Sequence, residues 1–174
     1  MQLPRRVVVT GMGLISPLGN SVHESWSNCI KGISGISKNI VDLEGIPVKV
    51  GGRVKDFDPT QFIDSKDVRR LDTFVQYGVS AGIQAIEDAG IGNDINKDRV
   101  GLNIGSGIGG LDSIEKNKDI LDQKSFKRVS PFFVPGSIIN MTPGYLSIIK
   151  AYTGPKLSIV TACASSNHAI GTSA

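Results

Sequence analysis

The sequence predicts an α/β fold, and three observations predict it. Short β-branched apolar runs, Val7-Val8-Val9, Val100 to Ile104 and Ser158 to Thr161, are continuous rather than alternating, as strands buried on both faces are. Between them lie stretches whose apolar residues recur at helical spacing, above all Leu71, Phe74, Val75, Val79, Ile83 and Ile86. Glycine makes up 21 of 174 residues, well above the average of about 7%, which predicts tight turns where one kind of element gives way to the other. Strands alternating with helices imply a mainly parallel sheet with helices packed on its faces.

Taken in order, Arg5 to Thr10 reads as the first buried strand, and a glycine turn follows. Thr10-Gly11-Met12-Gly13 has the start of a dinucleotide loop. The third glycine falls at Gly19, however, and Pro17 interrupts any helix there, so the nucleotide reading is set aside. Ser21-Val22-His23-Glu24 has the form of a capping box and opens a helix through Trp26, Cys29 and Ile30 that stops at Gly32. Cys29 falls on the apolar face of that helix and reads as structural; His23, in its first turn, reads as solvated. Pro47 to Val50 and Arg53 to Phe57 read as short strands around Gly51-Gly52, closed by an Asp58-Pro59 turn.

The long helix beginning near Leu71 ends at Gly90, and its entrance carries Lys66, Arg69 and Arg70. Val100 to Ile104 is another buried strand, emptying into Gly105-Ser106-Gly107-Ile108-Gly109-Gly110. That loop lacks the Gly-x-x-x-x-Gly-Lys pattern of a phosphate cradle and reads as backbone room for a substrate chain. A polar, lysine-rich helix from Leu111 to Leu121 comes next, then Lys124, Lys127 and Arg128. Ser130 to Gly136, with two prolines and two phenylalanines, reads as a shaped loop. Ser137 to Lys150 reads as a helix kinked or restarted at Pro143. Gly154-Pro155 turns the chain into the last strand, Lys156 to Thr161.

That strand switches within two residues to the small side chains of a tightly packed helix, and Cys163 sits at the switch. A thiol at a strand-to-helix elbow faces the unpaired N–H groups and positive dipole end of the first helical turn, which favour thiolate. Position alone leaves two readings open, a nucleophile or a small buried hydrophobe. The last residues, Gly171-Thr172-Ser173-Ala174, lie inside that helix without a cap, so the chain is expected to be a piece of a longer protein, cut just after Cys163.

Composition narrows the function classes. At 40% apolar residues and 174 residues the chain reads as one soluble domain. It has no run of 18 apolar residues, and Met1 to Arg6 leads straight into a strand. Neither a membrane span nor a secretory signal is read, and the expected location is the cytoplasm, or an organelle after import. Asn140-Met141-Thr142, which has the form of a glycosylation sequon, is a coincidence in that setting. Two cysteines in different settings make no disulfide framework. With only His23 and His168 and no Cys-x-x-Cys, no metal site is expected. A net charge of +3 gives no ground for nucleic-acid binding.

Thr161-Ala162-Cys163-Ala164-Ser165-Ser166-Asn167-His168-Ala169-Ile170-Gly171 resembles the nucleophile segment of the β-ketoacyl-acyl carrier protein synthases, in the thiolase superfamily. Val9-Thr10-Gly11-Met12-Gly13 with Ser16-Pro17-Leu18-Gly19, the glycine loop 105–110, and Ser130 to Gly136 agree with it at matching places. The resemblance runs from about residue 5 to the end, covers the first half of the family's length, and is nearest the elongating type II synthase. It implies a thiolase-like layered fold, α-β-α-β-α in the whole protein, with this chain, residues 1–174, as the N-terminal half. It further implies a decarboxylating Claisen condensation in which Cys163 is the nucleophile and its backbone N–H an oxyanion donor. Ile108 and Phe133 would line the acyl pocket, Phe133 reaching across a homodimer interface. Lys66, Arg69, Arg70, Lys124, Lys127 and Arg128 would dock the acyl carrier protein; their other reading is a solvated surface.

No cofactor is implied beyond the phosphopantetheine that carries the substrates. The family's two enolate-binding histidines, in His-Gly-Thr and Asn-x-x-Gly-His motifs, and a supporting lysine find no match in residues 1–174. His168 is read as a packed helix histidine. A non-condensing acyl-binding or chain-length partner subunit, and a thiolase acting on coenzyme A esters, are the alternatives; the first typically lacks the cysteine.

Overall fold

The computed structural model describes residues 6–38, 45 and 47–174. The chain forms two compact units: Thr10–Asp58 with Ser80–Ile91, and the described residues up to Val9 with Pro59–Val79 and Gly92–Ala174.

In the first unit Ser21 opens α1 (Val22–Ile30), its side chain accepting the Glu24 N–H at 3.1 Å. Glu24 returns a carboxylate oxygen to the N–H of Asn20 at 2.7 Å, one residue earlier than a capping box places it. Ser25 is the buried residue of α1, whereas Trp26 is 65% exposed and Cys29 is also exposed. Cys29 therefore lies beside Trp26 and Ile30 on an apolar face that is open rather than packed, which corrects its structural reading. His23 is exposed, as expected.

The strands of this unit differ from the expectation. β1 (Ile36–Lys38) pairs antiparallel with β2 (Val50–Gly52), Ile36 opposite Gly52 and Lys38 opposite Val50. The two glycines lie inside a strand, and neither Pro47–Lys49 nor Arg53–Phe57 is one. Glycine reads as a turn from sequence, but here a partner distant in the chain supplies the ladder that holds it extended. Residues 10–15 are tied by side chains rather than by a sheet: Met12 N–H donates to Asp88 at 2.8 Å and Leu14 N–H to Gln84 at 3.1 Å.

The buried strand expected at Arg5 to Thr10 is not found. Arg5 is outside the described residues, and from Arg6 onward the stretch is unpaired, with Val9 83% exposed. A β-branched run becomes a strand only where a neighbour takes its N–H and C=O groups, and among the described residues none does.

Lys66 belongs to α2 (Ser65–Val68), whose cap is the Asp64 side chain on the Lys66 N–H at 2.8 Å. The periodic stretch forms α3 (Thr73–Asp88) and buries Val75, Val79 and Ile83 on the predicted stripe. It stops at Gly90, in the left-handed conformation with φ +65°, where Ile91 N–H reaches back to Ile86 O at 3.1 Å.

In the second unit β3 (Leu102–Asn103) runs parallel to β4 (Lys156–Leu157). The ladder continues past both: Leu102, Ile104 and Ser106 donate in turn to Pro155, Leu157 and Ile159 at 2.8, 3.2 and 3.3 Å. α4 (Leu111–Gln123) follows the glycine loop. The expected shaped loop contains a short helix, α5 (Phe133–Ser137), because Pro135 falls where a first-turn N–H needs no intrahelical partner. α6 (Met141–Lys150) is the restarted helix, with Pro143 in its first turn for the same reason. It buries Tyr145 and Leu146 and packs against β3 and β4. α7 (Ser165–Ser173) packs on β3, where Asn103 donates to Ala169 O at 3.0 Å and to the Thr172 hydroxyl at 2.7 Å. In place of a mainly parallel sheet, the described residues hold one parallel and one antiparallel two-stranded pair.

Candidate active site

The elbow at Cys163 is built from the backbone outward. After the ladder's last bond at Ile159 the chain turns at Ala162, whose φ is +50°, a conformation that an L-residue adopts at a cost of roughly 1–2 kcal/mol. A 3-10 turn, Ala162–Ala164, then carries Cys163 into α7, and the cysteine is exposed. Ser165, only 3% exposed, holds this bend. Its hydroxyl oxygen accepts the Thr161 N–H at 2.9 Å and donates to Ala162 O at 2.8 Å. The Thr161 side chain is fixed from the other side by His168 Nδ1 at 2.8 Å, the donor depending on the imidazole tautomer. His168 is exposed and not packed, so its sequence reading is corrected: among the described residues its ring bonds the elbow at Thr161.

The glycine loop passes against this bend. A Cβ on Gly105 would lie 2.6 Å from Ser165 O and 3.0 Å from Ser165 Cβ, so only glycine fits there. At Gly107 the same test meets Ala162 O at 3.7 Å, which puts the middle of the loop beside the elbow. Ile108 follows at once, 68% exposed. Gly110 N–H donates to Ser137 O at 2.9 Å, and the Ser137 hydroxyl to Phe133 O at 2.6 Å. The loop bearing Ile108 thus lies against the Cys163 elbow and is bonded to the end of α5, whose Ser137 hydroxyl reaches back to Phe133 at its start. Phe133 is half-buried and lines a cavity of about 230 Å³ with Ile114, Leu121 and Val129.

The basic residues fall into two groups. Lys66, Arg69, Lys124, Lys127 and Arg128 are exposed. Arg70 is exposed as well but engaged: its Nη1 lies 3.3 Å from Asp67 Oδ1 and its guanidinium carbon 4.4 Å from the centre of the Phe132 ring. The other Asp67 oxygen accepts the Tyr145 hydroxyl at 2.8 Å. Burial, then this bond and the negative charge of Asp67, push the Tyr145 phenol well above its usual range and keep it a donor.

Sequence reasoning missed three of the supports, Ser165, Asp72 and the Asp67–Tyr145 pair. Asp72 takes the Ser113 N–H at 3.0 Å and the Ser113 hydroxyl at 2.6 Å. An acidic residue just before a helical stretch is a readable cap signal; a serine among other small residues carries none. Among the described residues no group of three or more His, Cys, Asp or Glu is placed to hold a metal ion, and no helix is long and apolar enough to cross a membrane.

Comparison with known proteins supplies the context. The family model "Beta-ketoacyl synthase, N-terminal domain" matches residues 4–174. A 3-oxoacyl-(acyl-carrier-protein) synthase 2 of Vibrio harveyi is 50% identical over 170 residues, 96% of this chain and 41% of the relative. The like-named protein of Staphylococcus aureus strain N315 is 44% identical over 174 residues, 98% of this chain and 42% of its own length. Among solved structures, a type II PKS ketosynthase in complex with its acyl-carrier protein superposes with a TM-score of 0.80 at 25% identity, over 95% of this chain and 44% of that one. The fold is therefore the thiolase-like α/β fold of the ketosynthases, and the chain spans less than half the length of the curated relatives it matches.

Proposed function

The chain belongs to the beta-ketoacyl synthase family, and from that membership we propose that Cys163 is the acyl-accepting nucleophile of an elongating condensing enzyme of which these residues are the N-terminal half. The Cys163 thiolate attacks the carbonyl of an acyl thioester on an acyl carrier protein; the phosphopantetheine thiol leaves with a proton, and the acyl group stays on sulfur. Malonyl carrier protein then loses CO₂, and the electron pair of the broken C–C bond becomes an enolate. Its carbon attacks the Cys163 thioester, sulfur departs, and the product is a 3-oxoacyl thioester two carbons longer.

In this reading the Cys163 N–H, within the 3-10 turn that leads into α7, donates to the developing oxyanion. By the family pattern the donors for the enolate are two histidines that residues 1–174 do not supply. Ile108 and Phe133 bound the acyl chain, on a loop and a helix joined through Ser137. The exposed cations Lys66, Arg69, Lys124, Lys127 and Arg128 receive the carrier protein, an acidic partner in this reading. The enzyme works as a cytoplasmic homodimer without a cofactor of its own.

One observation carries this reading: an exposed cysteine on a strained elbow, in a chain half identical to a named 3-oxoacyl synthase. It supports a condensing enzyme over a chain-length partner, which would lack the thiol, and the relative's name supports a carrier-protein substrate over a coenzyme A ester. The test is intact-mass spectrometry of the full-length enzyme with acyl carrier protein. An acyl adduct mapping to Cys163, absent in Cys163→Ala, is expected; an adduct that survives the substitution refutes the assignment.

A further inference from the structure

Arg69 and Arg70 are neighbours in sequence and indistinguishable by charge, but the structure separates them. Arg69 is exposed. Arg70 pairs with Asp67 at 3.3 Å while its guanidinium lies over the Phe132 ring at 4.4 Å. Asp67 is itself anchored, because its second oxygen takes the hydroxyl of the buried Tyr145 at 2.8 Å. The guanidinium is thus held between a carboxylate anchored from α6 and an aromatic ring, a two-sided contact that suits its broad, weakly hydrated group better than a compact ammonium.

The ring it covers is the residue before α5. Phe132 O accepts the Gly136 N–H at 2.7 Å, Gly136 O accepts the Asp72 N–H at 3.1 Å, and the Ser137 hydroxyl bonds Phe133 O at 2.6 Å. α5 is therefore seated at its far end by backbone and at its near end by the Arg70 stack. Through Gly110 and Ser137 the same helix is bonded to the loop that carries Ile108.

We propose that Arg70 is a positioning residue that sets acyl-chain selectivity by clamping Phe132, and through it Phe133. The inference rests on Phe133 lining the acyl pocket. Loss of the clamp lets Phe132 leave its place beside Leu71 and Met141, and the first turn of α5 moves with it.

The experiment uses full-length enzyme and measures kcat/KM for short and long acyl primers on the carrier protein, with Tm alongside. Arg70→Lys keeps the charge and replaces the guanidinium that reaches both the carboxylate and the ring. It is expected to change the long-to-short ratio at least threefold, with KM for the carrier substrate within twofold of wild type, whereas Arg69→Lys leaves the ratio unchanged. Phe132→Leu, which removes the ring and spares Arg70, is expected to give the same shift, and the double variant no more than either single one. An unchanged ratio in Arg70→Lys, or a uniform fall across all primers, overturns the proposal; so does a raised carrier KM in Arg70→Glu at constant ratio, which is the signature of docking. Phe133→Ala reports on the pocket separately. No change of profile there removes the pocket reading, while a shifted profile there beside a wild-type Arg70→Lys removes only the role given to Arg70.

Discussion

Cys29 and Cys163 are both exposed, so accessibility does not tell the two thiols apart, and any difference in reactivity has to come from their surroundings. Cys29 lies in the last turn of α1, where the helix dipole disfavours an anion; Cys163 lies in the turn that leads into α7, where it favours one. In the full-length enzyme iodoacetamide should label Cys163 at least about tenfold faster than Cys29, a difference of 1.4 kcal/mol in barrier, and peptide mapping that finds equal rates would refute the nucleophile. The exposure of Ile108 decides a second question. Ile108 is 68% exposed and is not held by packing within this chain, so Ile108→Phe should leave the Tm of the 174-residue chain nearly unchanged, within the roughly 0.5 kcal/mol of surface substitutions. Short acyl primers should still be accepted by the full-length enzyme and long ones refused in a kcat/KM series; a uniform loss across lengths would mean that Ile108 is no gate. While the role given to Cys163 came from the family resemblance, the elbow there was legible in sequence because a β-branched run gives way abruptly to small residues. The bonds that hold its bend, from Ser165 and His168 to Thr161, were not, since each joins residues whose types carry no signal of their own.

At the scale of elements, helices were read well and strands poorly, for a physical reason. A helix closes its hydrogen bonds within itself, so the spacing of Val75, Val79 and Ile83 and the stop at Gly90 suffice to place α3. A strand needs a partner that its own residues do not name, and β2 found one in Ile36–Lys38, some fourteen residues upstream. The connection of greatest consequence among these elements is Asp72. One of its oxygens takes the Phe74 N–H at 3.3 Å at the start of α3, the other takes both bonds from Ser113 in α4, and its own N–H donates to Gly136 in α5. Asp72→Ala removes a cap and leaves the Ser113 N–H and hydroxyl without their acceptor, a loss of about 2–4 kcal/mol from the cap and the charge-assisted bonds together. The urea midpoint of the full-length protein should fall accordingly at unchanged slope. A change below about 1 kcal/mol would show that the three helices are held by packing and not by this carboxylate.

At the scale of the molecule, what is buried and what is not set different limits on the chain by itself. The buried apolar residues among those described are Ile63, Val75, Val79, Ile83, Tyr145, Leu146, Tyr152 and Ala169, while Val7, Val8, Val9, Trp26, Ile30, Ile148 and Ile170 are more than half exposed. The sequence reading foretold a buried run at Val7 to Val9 and apolar faces on the helix with Trp26 and Ile30 and on the long helix, and could not foretell which of them this chain covers, because burial on the scale of a sheet depends on residues far apart in sequence. Apolar surface of that kind binds dyes and other chains. The 174-residue chain in isolation should therefore enhance 1-anilinonaphthalene-8-sulfonate fluorescence and associate with rising concentration, and the full-length enzyme should do neither. It should also release no CO₂ from malonyl carrier protein, since the two histidine motifs that would hold the enolate are not in it. Both readings come from one preparation, by fluorescence with light scattering and by trapping labelled CO₂. A monomer that ignores the dye would show that the exposed faces are benign, and CO₂ release by that monomer would place the decarboxylating groups within residues 1–174 and require His168, or a group not yet considered, to act on the enolate.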